Sequence, residues 1–317
     1  MTRHIPIEFS IPQFPLKSIN CYITDNEQQT ILIDVGINHP SFKDFFKKTI
    51  TSENMSISSL DAVYLTHHHE DHVGLLPYVL SKKELPVYVH KEALPRLRYE
   101  EDFLLMRMHF FEQLYRKLDC LEDAEQRFKK LQKTYEKRHE LKIDADFRII
   151  EPNKHLGRFR VIHLPGHSED SIGFYDAIAQ EMFAGDALLA QTSTNPIVDP
   201  NVNGEYVHNS SQQRNTWMKL ANMPIRTLYA GHQQPIMQVA AVVFQKQQKW
   251  LAKEQKVLSL LNHPMTGREI AQTFYGSLYK KQFSLIMSEM VGLLDLLEKK
   301  EQIIKVVEKG RYIFMKR

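Results

Sequence analysis

Thr66-His67-His68-His69-Glu70-Asp71-His72 follows directly on the apolar run Leu60–Leu65 (Leu-Asp-Ala-Val-Tyr-Leu). Such a run reads as a short buried strand that Thr66 ends. On extended backbone, side chains two apart share a face, so His67 and His69 converge while His68 points elsewhere and reads as a non-ligand. From Asp71 the pattern changes to Val73, Leu75, Leu76, Val79 and Leu80, which reads as a helix start. A first-turn carboxylate is favoured in its ionised form there, so Asp71 and His72 face the same volume from the other side. Three imidazoles and one carboxylate suit a borderline metal such as zinc, at ligand distances of about 2.0 to 2.2 Å. They crowd a single ion. If His67 with His69 and Asp71 with His72 serve two ions, further ligands must come from downstream.

Three segments supply them: Leu164-Pro165-Gly166-His167-Ser168 after the apolar run Phe159–Leu164, then Met182-Phe183-Ala184-Gly185-Asp186, then Thr227-Leu228-Tyr229-Ala230-Gly231-His232. In each a strand ends, a glycine lets the backbone turn or approach without a Cβ clash, and a metal-type ligand follows. Taken singly, His167 and His232 are more often surface or turn residues and Asp186 a plain turn residue. Taken with the first motif, four strand ends aim ligands at one place. His90, His109, His139, His155, His163, His208 and His263 lack such a context and read as surface or packing residues.

These residues, in this order, resemble the metallo-β-lactamase superfamily over about residues 5 to 236. The Pro-Gly-His-Ser, Gly-Asp and Gly-His forms resemble its glyoxalase II-like branch more than the antibiotic-degrading one. The resemblance implies an α/β chain folded as an αββα sandwich. It assigns His67, His69 and His167 to one metal and Asp71, His72 and His232 to a second, with Asp186 bridging. Asp71 and Asp186 are also its catalytic candidates. Asp34, in Ile31-Leu32-Ile33-Asp34-Val35-Gly36, matches an aspartate that supports the metal loop. Two divalent cations about 3.5 to 4 Å apart ionise a shared water, which makes a small ester, thioester or lactone the expected substrate of a bridging hydroxide. Zinc is the first expectation, and the donor set also accepts manganese or iron. No Gly-x-Ser-x-Gly elbow competes, and Ser168 and Ser171 read as turn formers or hydrogen-bond donors. Diiron oxygen-reductase relatives carry glutamate where this chain has His69. By the same analogy the segment between Asp186 and His232, with Asn195 and the run His208 to Arg214, forms one wall of the site.

Length and composition fit an enzyme with a full core. The 317 residues exceed one compact core and suggest a large domain plus a smaller one, and 43% are hydrophobic. Met1-Thr2-Arg3-His4-Ile5-Pro6 contains no apolar run of signal-peptide length, and nowhere do roughly eighteen apolar residues follow one another. Cys21 and Cys120 make neither a disulfide framework nor a Cys-x-x-Cys knuckle. The expectation is a cytoplasmic protein with a small-molecule substrate and no membrane partner; a homodimer is compatible. A net charge of +3 is too small to give general nucleic-acid affinity.

Along the chain, Ile5–Phe9, Lys17–Thr24 and Gln29–Asp34 read as an antiparallel entry to a sheet, and Pro86–His90 as a further strand. Leu94–Leu118 and Ala124–Arg138 read as long helices of an insertion over about residues 92–140. Its Leu104, Met106, Met108, Phe110, Phe111, Leu114 and Tyr115 are more apolar than one stripe requires. They form either a lid over an apolar substrate group or, the favoured reading, packing against the main sheet.

The catalytic domain is placed at 1–237 and a second unit at 238–317. In the latter, Ala240–Leu261 reads as a helix, Thr266-Gly267-Arg268-Glu269 as a capping box opening a helix through Phe274, Phe283–Lys299 as another helix, and Gln302–Val307 with Arg311–Met315 as a hairpin around Glu308-Lys309-Gly310. That order resembles the winged helix appended to glyoxalase II-like proteins, including an RNA endonuclease of the lactamase-β-2 type. Residues 251 to 317 carry 12 Lys or Arg against 7 Asp or Glu, a charge that would attract RNA phosphates. The alternative functions are therefore a metal-dependent RNA endonuclease, or a nucleic-acid-binding regulator with a ligand-sensing dimetal centre. Nucleic acid is not favoured as the partner, because a fold alone does not assign function.

Overall fold

A computed structural model describes residues 4–13 and 16–317; Met1–Arg3, part of the N-terminal stretch read above, lie outside the described residues. Strands β1 (His4–Ile11), β2 (Lys17–Asp25) and β3 (Thr30–Ile33) pair antiparallel, and β4 (Ala62–Tyr64), β5 (Pro86–Val89) and β6 (Asp146–Ile149) continue the same sheet in parallel. Successive side chains along these strands serve opposite faces. Leu32 and Val63 point to the side covered by Phe42 and Phe46 of the helix Pro40–Ser52. Ile31, Ile33, Ala62 and Tyr64 point to the other side, where they meet Phe159, Val161, Ile172, Phe174 and Phe183 of the second sheet.

That second sheet runs β11-β10-β9-β8-β7, from β7 (His155–Leu156), β8 (Phe159–His163), β9 (Ile172–Asp176), β10 (Glu181–Gly185) and β11 (Thr227–Ala230). The helices Asn209–Ala221 and Val239–Leu260 cover its outer face, with the rings of Trp217 and Trp250 4.9 Å apart above Met182, Ala184 and Leu228. Helix, sheet, sheet and helix are the layers expected of an αββα sandwich. No helix among the described residues is long and apolar enough to cross a membrane.

Local departures from the sequence reading have physical causes. The strand expected over Leu60–Leu65 narrows to Ala62–Tyr64, because the backbone N–H of Thr66 is taken by the Asp34 carboxylate at 2.8 Å rather than by a neighbouring strand. The helix expected from Asp71 is two short ones, Glu70–Val73 and Leu76–Leu80, and Pro77 lies in the first turn of the second, where its missing N–H costs nothing. Leu94–Leu118 is likewise divided into Leu94–Leu97 and Glu101–Lys117, with Tyr99 at φ +48° between them. The edge strand β6 was not legible, since Phe147 and Ile149 alternate with Asp146 and Arg148 over only four residues that stay mostly exposed.

The insertion corrects a larger expectation. Phe111, Tyr115, Leu118 and Leu131 do not pack on the main sheet; they share one core with Val257, Ile270, Phe283, Met290, Leu294 and Phe314 near the C-terminus. There the helices Val239–Leu260, Gly267–Tyr275 and Phe283–Lys299 pack with a three-stranded sheet of β12 (Met265–Thr266), β13 (Ile303–Glu308) and β14 (Arg311–Lys316). The capping box is formed: the Thr266 hydroxyl accepts from the Glu269 N–H at 3.2 Å, and the Glu269 carboxylate accepts from the Thr266 N–H at 2.7 Å. The hairpin turns at Lys309 and Gly310, both at positive φ, the conformation that matches the twist of a two-residue loop.

Candidate metal centre

Parallel pairing of β3 with β4 brings their C-terminal ends together, and Asp34 closes that junction. Its own N–H donates to Tyr64 O at 2.9 Å. Its carboxylate accepts from the Thr66 N–H, the Thr66 hydroxyl and His72 Nδ1, each at 2.8 Å. Asp34 holds φ +56° to do so, a strained conformation kept in place by these bonds. One buried carboxylate thereby fixes the start of the His67–His72 loop and the orientation of its last imidazole.

The other strand ends deliver the remaining side chains. Gly166 presses so closely on the helix Asn209–Ala221 that a Cβ would lie 2.4 Å from the Gln213 Cα, and the Thr216 hydroxyl ties that helix to Pro165 O at 2.7 Å. This places His167 over the loop, with the run His208 to Arg214 behind it. Gly185, at φ +48°, leaves room for the Thr66 hydroxyl, and Gly231 leaves room for His72 and Asp186.

All seven residues expected at the site converge. Potential ligand atoms of His67, His69 and His167 lie within 4.8 Å of one another, as do those of Asp71, His72 and His232, and those of His67, His72 and Asp186. His69 Nδ1 is 3.1 Å from His67 Nε2 and 2.9 Å from His167 Nε2. Asp186 faces His72 Nε2 at 3.4 Å, His232 Nε2 at 3.2 Å and His167 Nε2 at 3.7 Å, and His232 Nε2 is 3.4 Å from Asp71. His68 turns away, and its Nδ1 pairs with the buried Asp170 carboxylate at 2.8 Å.

The far side of each ring explains its orientation. His72 Nδ1 bonds to Asp34, His232 Nδ1 donates to Ser18 O at 2.6 Å, His167 Nδ1 donates to Asn195 O at 3.0 Å, and His67 Nδ1 lies 3.1 Å from the Thr66 hydroxyl. With Nδ1 engaged there, each Nε2 is turned inward to the centre. Burial first, and then the neighbouring imidazoles, hold His67 and His69 well below the usual histidine range, and burial lowers His167 too. Burial also opposes charge on His72 and His232, but Asp34 and Asp186 raise His72, while Asp186 and Asp71 raise His232 to about 10. Against the penalty of burial, His232 and His72 keep Asp71 and Asp186 ionised.

The resulting donor set fits divalent cations. His72 Nε2, His232 Nε2 and Asp186 Oδ1 are sealed from solvent without a hydrogen-bond partner, a costly state for three polar atoms. Imidazole nitrogens and ionised carboxylate oxygens facing one another are what zinc-type ions bind, and such an ion would take the place of the protons that His72 and His232 hold here.

Several contributors were not legible in the sequence. The carbonyls of Ser18 and Asn195 leave no trace in residue type, and Thr66 and Asp170 acquire roles only through contacts made by the fold. His90 and His163, read as packing residues, stack with ring centroids 4.8 Å apart.

Residues 15–232 match the family described as the metallo-beta-lactamase superfamily, and the chain belongs to it. It is 27% identical over 319 residues to the "Probable metallo-hydrolase YqjP" of Bacillus subtilis, spanning 100% of this chain and 99% of that protein. It is 22% identical over 306 residues to the atrochrysone carboxyl ACP thioesterase AacuM of Aspergillus aculeatus, spanning 95% of this chain and 80% of that one. A metallo-beta-lactamase family protein from Thermus thermophilus shares the fold, with a TM-score of 0.77 at 22% identity over 99% of this chain and 98% of that one.

Proposed function

We propose that this chain is a metal-dependent hydrolase of the glyoxalase II-like branch, with a binuclear centre acting on a small ester, thioester or lactone. The observation that carries the reading is the set of three buried, unpartnered atoms, His72 Nε2, His232 Nε2 and Asp186 Oδ1, with His72 Nε2 3.4 Å from Asp186 Oδ1 and His232 Nε2 3.2 Å from Asp186 Oδ2. His67, His69 and His167 would hold one ion and Asp71, His72 and His232 the other, with Asp186 shared. When bound, such a pair of divalent cations, zinc before manganese or iron, supplies an ionised water at neutral pH and polarises the carbonyl. The chain's own part is to keep the ligands in the required states, His67, His69 and His167 neutral and both aspartates charged. Asp71 is the candidate carboxylate that remains partly exposed, at 27% of its side chain, while His72 and His232 are closed off. Substrate therefore arrives on the side of Asp71 and His69. Water adds to the carbonyl carbon, the C–O or C–S bond breaks, and the proton leaves with the alcohol or thiol.

The thioester class is supported by a relative named as a thioesterase that spans most of this chain. The two-domain reading stands beside it: residues 1–237 as the catalytic domain, with its insertion at about 92–140, and 238–317 as a winged-helix domain, supported by the capped helix and the Lys309-Gly310 hairpin. The test is metal analysis of the purified protein together with turnover of matched thioesters, lactones, phosphodiesters and single-stranded RNA, with Asp186→Ala as control. Two ions per chain and carbonyl-substrate turnover lost in the variant are expected. Cleavage of RNA alone would overturn the reading in favour of an endonuclease.

A further inference from the structure

Three arginines surround Asp199. Arg96 gives Nε and Nη2 to Asp199 Oδ2 at 3.3 and 3.1 Å, and its remaining donors go to Glu92 O at 2.7 Å and Pro200 O at 2.6 Å. Arg107 Nε donates to the other carboxylate oxygen at 2.5 Å. Arg127 is left over. Its Nε is sealed from solvent with no hydrogen-bond partner, and among the described residues its guanidinium forms no ion pair with a carboxylate. It lies 4.6 Å over the Phe111 ring, on which the Arg107 guanidinium also lies, at 5.7 Å.

The carboxylates nearby are engaged by the other two arginines. Asp199 is spent on Arg96 and Arg107, and the Glu92 carboxylate sits 3.8 Å from Arg96 while accepting from the Val202 N–H. Asp170 and Glu169 lie near Arg96 as well, so of the three guanidinium groups Arg127 is the one that forms no ion pair among the described residues. Arg127 is part-buried with its Nε shut off from water and from any acceptor, which is unfavourable, and arginine cannot escape by losing its proton. Phe111 and Tyr115, both buried, give the place an apolar floor, while Arg107 keeps 21% of its side chain exposed and leaves it open to an incoming anion.

The cluster adjoins the metal centre. Asn195 O accepts from His167 Nδ1, and the Ile197 N–H donates to His167 O at 3.2 Å. Asp199 follows two residues later, within about 7 Å of Ile197 along the chain. We propose that Arg107 and Arg127 form a binding site for an anionic group, carboxylate or phosphate, carried by the substrate hydrolysed at the neighbouring centre. The inference rests on the hydrolase reading for the word substrate, but the anion site itself does not. Arg127 supplies an unengaged planar fork that suits either oxyanion in a bidentate fashion, and the helical insertion thereby becomes the element that recognises charge.

Full-length, metal-loaded protein is titrated with inorganic phosphate and, separately, with glutarate, and thermal unfolding is followed. Arg127→Met and Arg127→Gln both remove the charge, so one variant suffices if the other fails to fold. The wild type is stabilised by at least one anion, and the apparent affinity falls about tenfold or more in the variants, as expected for a lost charge-assisted pair. A response to phosphate alone assigns a phosphate-bearing substrate, and a response to glutarate alone a carboxylate-bearing one. Equal responses in wild type and variants, which would mark binding at the metals, or no response at all, overturns the proposal. Turnover of a neutral thioester measured in parallel tests the hydrolase reading by itself.

Discussion

Asp34→Asn removes one charge and one acceptor atom from a buried position whose surroundings are known atom by atom. Asp34 is 3% exposed and receives three hydrogen bonds of 2.8 Å. The amide oxygen can still accept from the Thr66 N–H, but the amide NH2 then stands where the second carboxylate oxygen was. It meets two donors, the Thr66 hydroxyl and His72 Nδ1–H. The hydroxyl can rotate; the imidazole can respond only by moving its proton to Nε2, the atom that faces Asp186. Two charge-assisted bonds at about 1.5 to 3 kcal/mol each are lost or weakened, so a destabilisation of about 3 to 5 kcal/mol is expected. Affinity at the Asp71, His72 and His232 set should fall about 10- to 100-fold, as for other partners that orient a metal-ligating histidine. Equilibrium dialysis against a competing chelator, with metal counted per chain, reads this directly: one ion should be retained at near wild-type affinity and the second lost early. Retention of both ions with unchanged affinity would refute the view that Asp34 sets the His72 tautomer.

Three further outcomes are expected. Gly231→Ala puts a methyl group 2.4 Å from His72 Cε1 and 2.6 Å from Asp186 Oδ1, so metal content should drop while far-UV circular dichroism is preserved; unchanged stoichiometry contradicts the close-approach argument. Burial, with the stacked His163, lowers His90 to about 4 from the ordinary value of 6.5. The unfolded state therefore binds more protons between these values, and this part of the stability is full above about pH 6.5 and lost as pH falls toward 4, amounting to at most about 3 kcal/mol. His90→Asn, which can still cap the Glu92 N–H, should flatten the urea midpoint between pH 7 and 5, and an unaltered slope would count against it. Phe111→Ala should cost about 3 to 5 kcal/mol in one shared denaturation transition, because Phe111 lies in the core common to the insertion and the C-terminal helices. Separate melting of the C-terminal unit would show that core to be less continuous than its packing indicates.

The convergence of these seven side chains was legible because they lie at strand ends followed by irregular backbone, where apolar runs stop and, in three of the four segments, a glycine precedes the polar residue. That is local information, and His67, His69, Asp71, His72, His167, Asp186 and His232 could be read from it in order. The capping box at Thr266 and the hairpin at Lys309-Gly310 were local too, being set by side-chain-to-backbone bonds and by positive φ within a few residues. The strands of the double-sheet core followed from the short apolar runs at β3, β8 and β10, while the four-residue, mostly exposed β6 was too brief to be read.

Where partners lie far apart in the chain, residue type carried no signal. Ser18 and Asn195 act on His232 and His167 through carbonyl oxygens that every residue possesses. The apolar surplus of Glu101–Lys117 announced burial without saying against what, since hydrophobic burial is non-directional. Folding chose the C-terminal helices over the main sheet. The same choice stacked Arg107 and Arg127 on Phe111 and left Arg127 without an ion pair among the described residues. The sequence by itself thus determined the class of chemistry, through spacing along the chain. Only the tertiary structure decided which rings keep their protons and where an uncompensated positive charge meets the substrate's path, because both depend on distances between segments that the chain order does not encode.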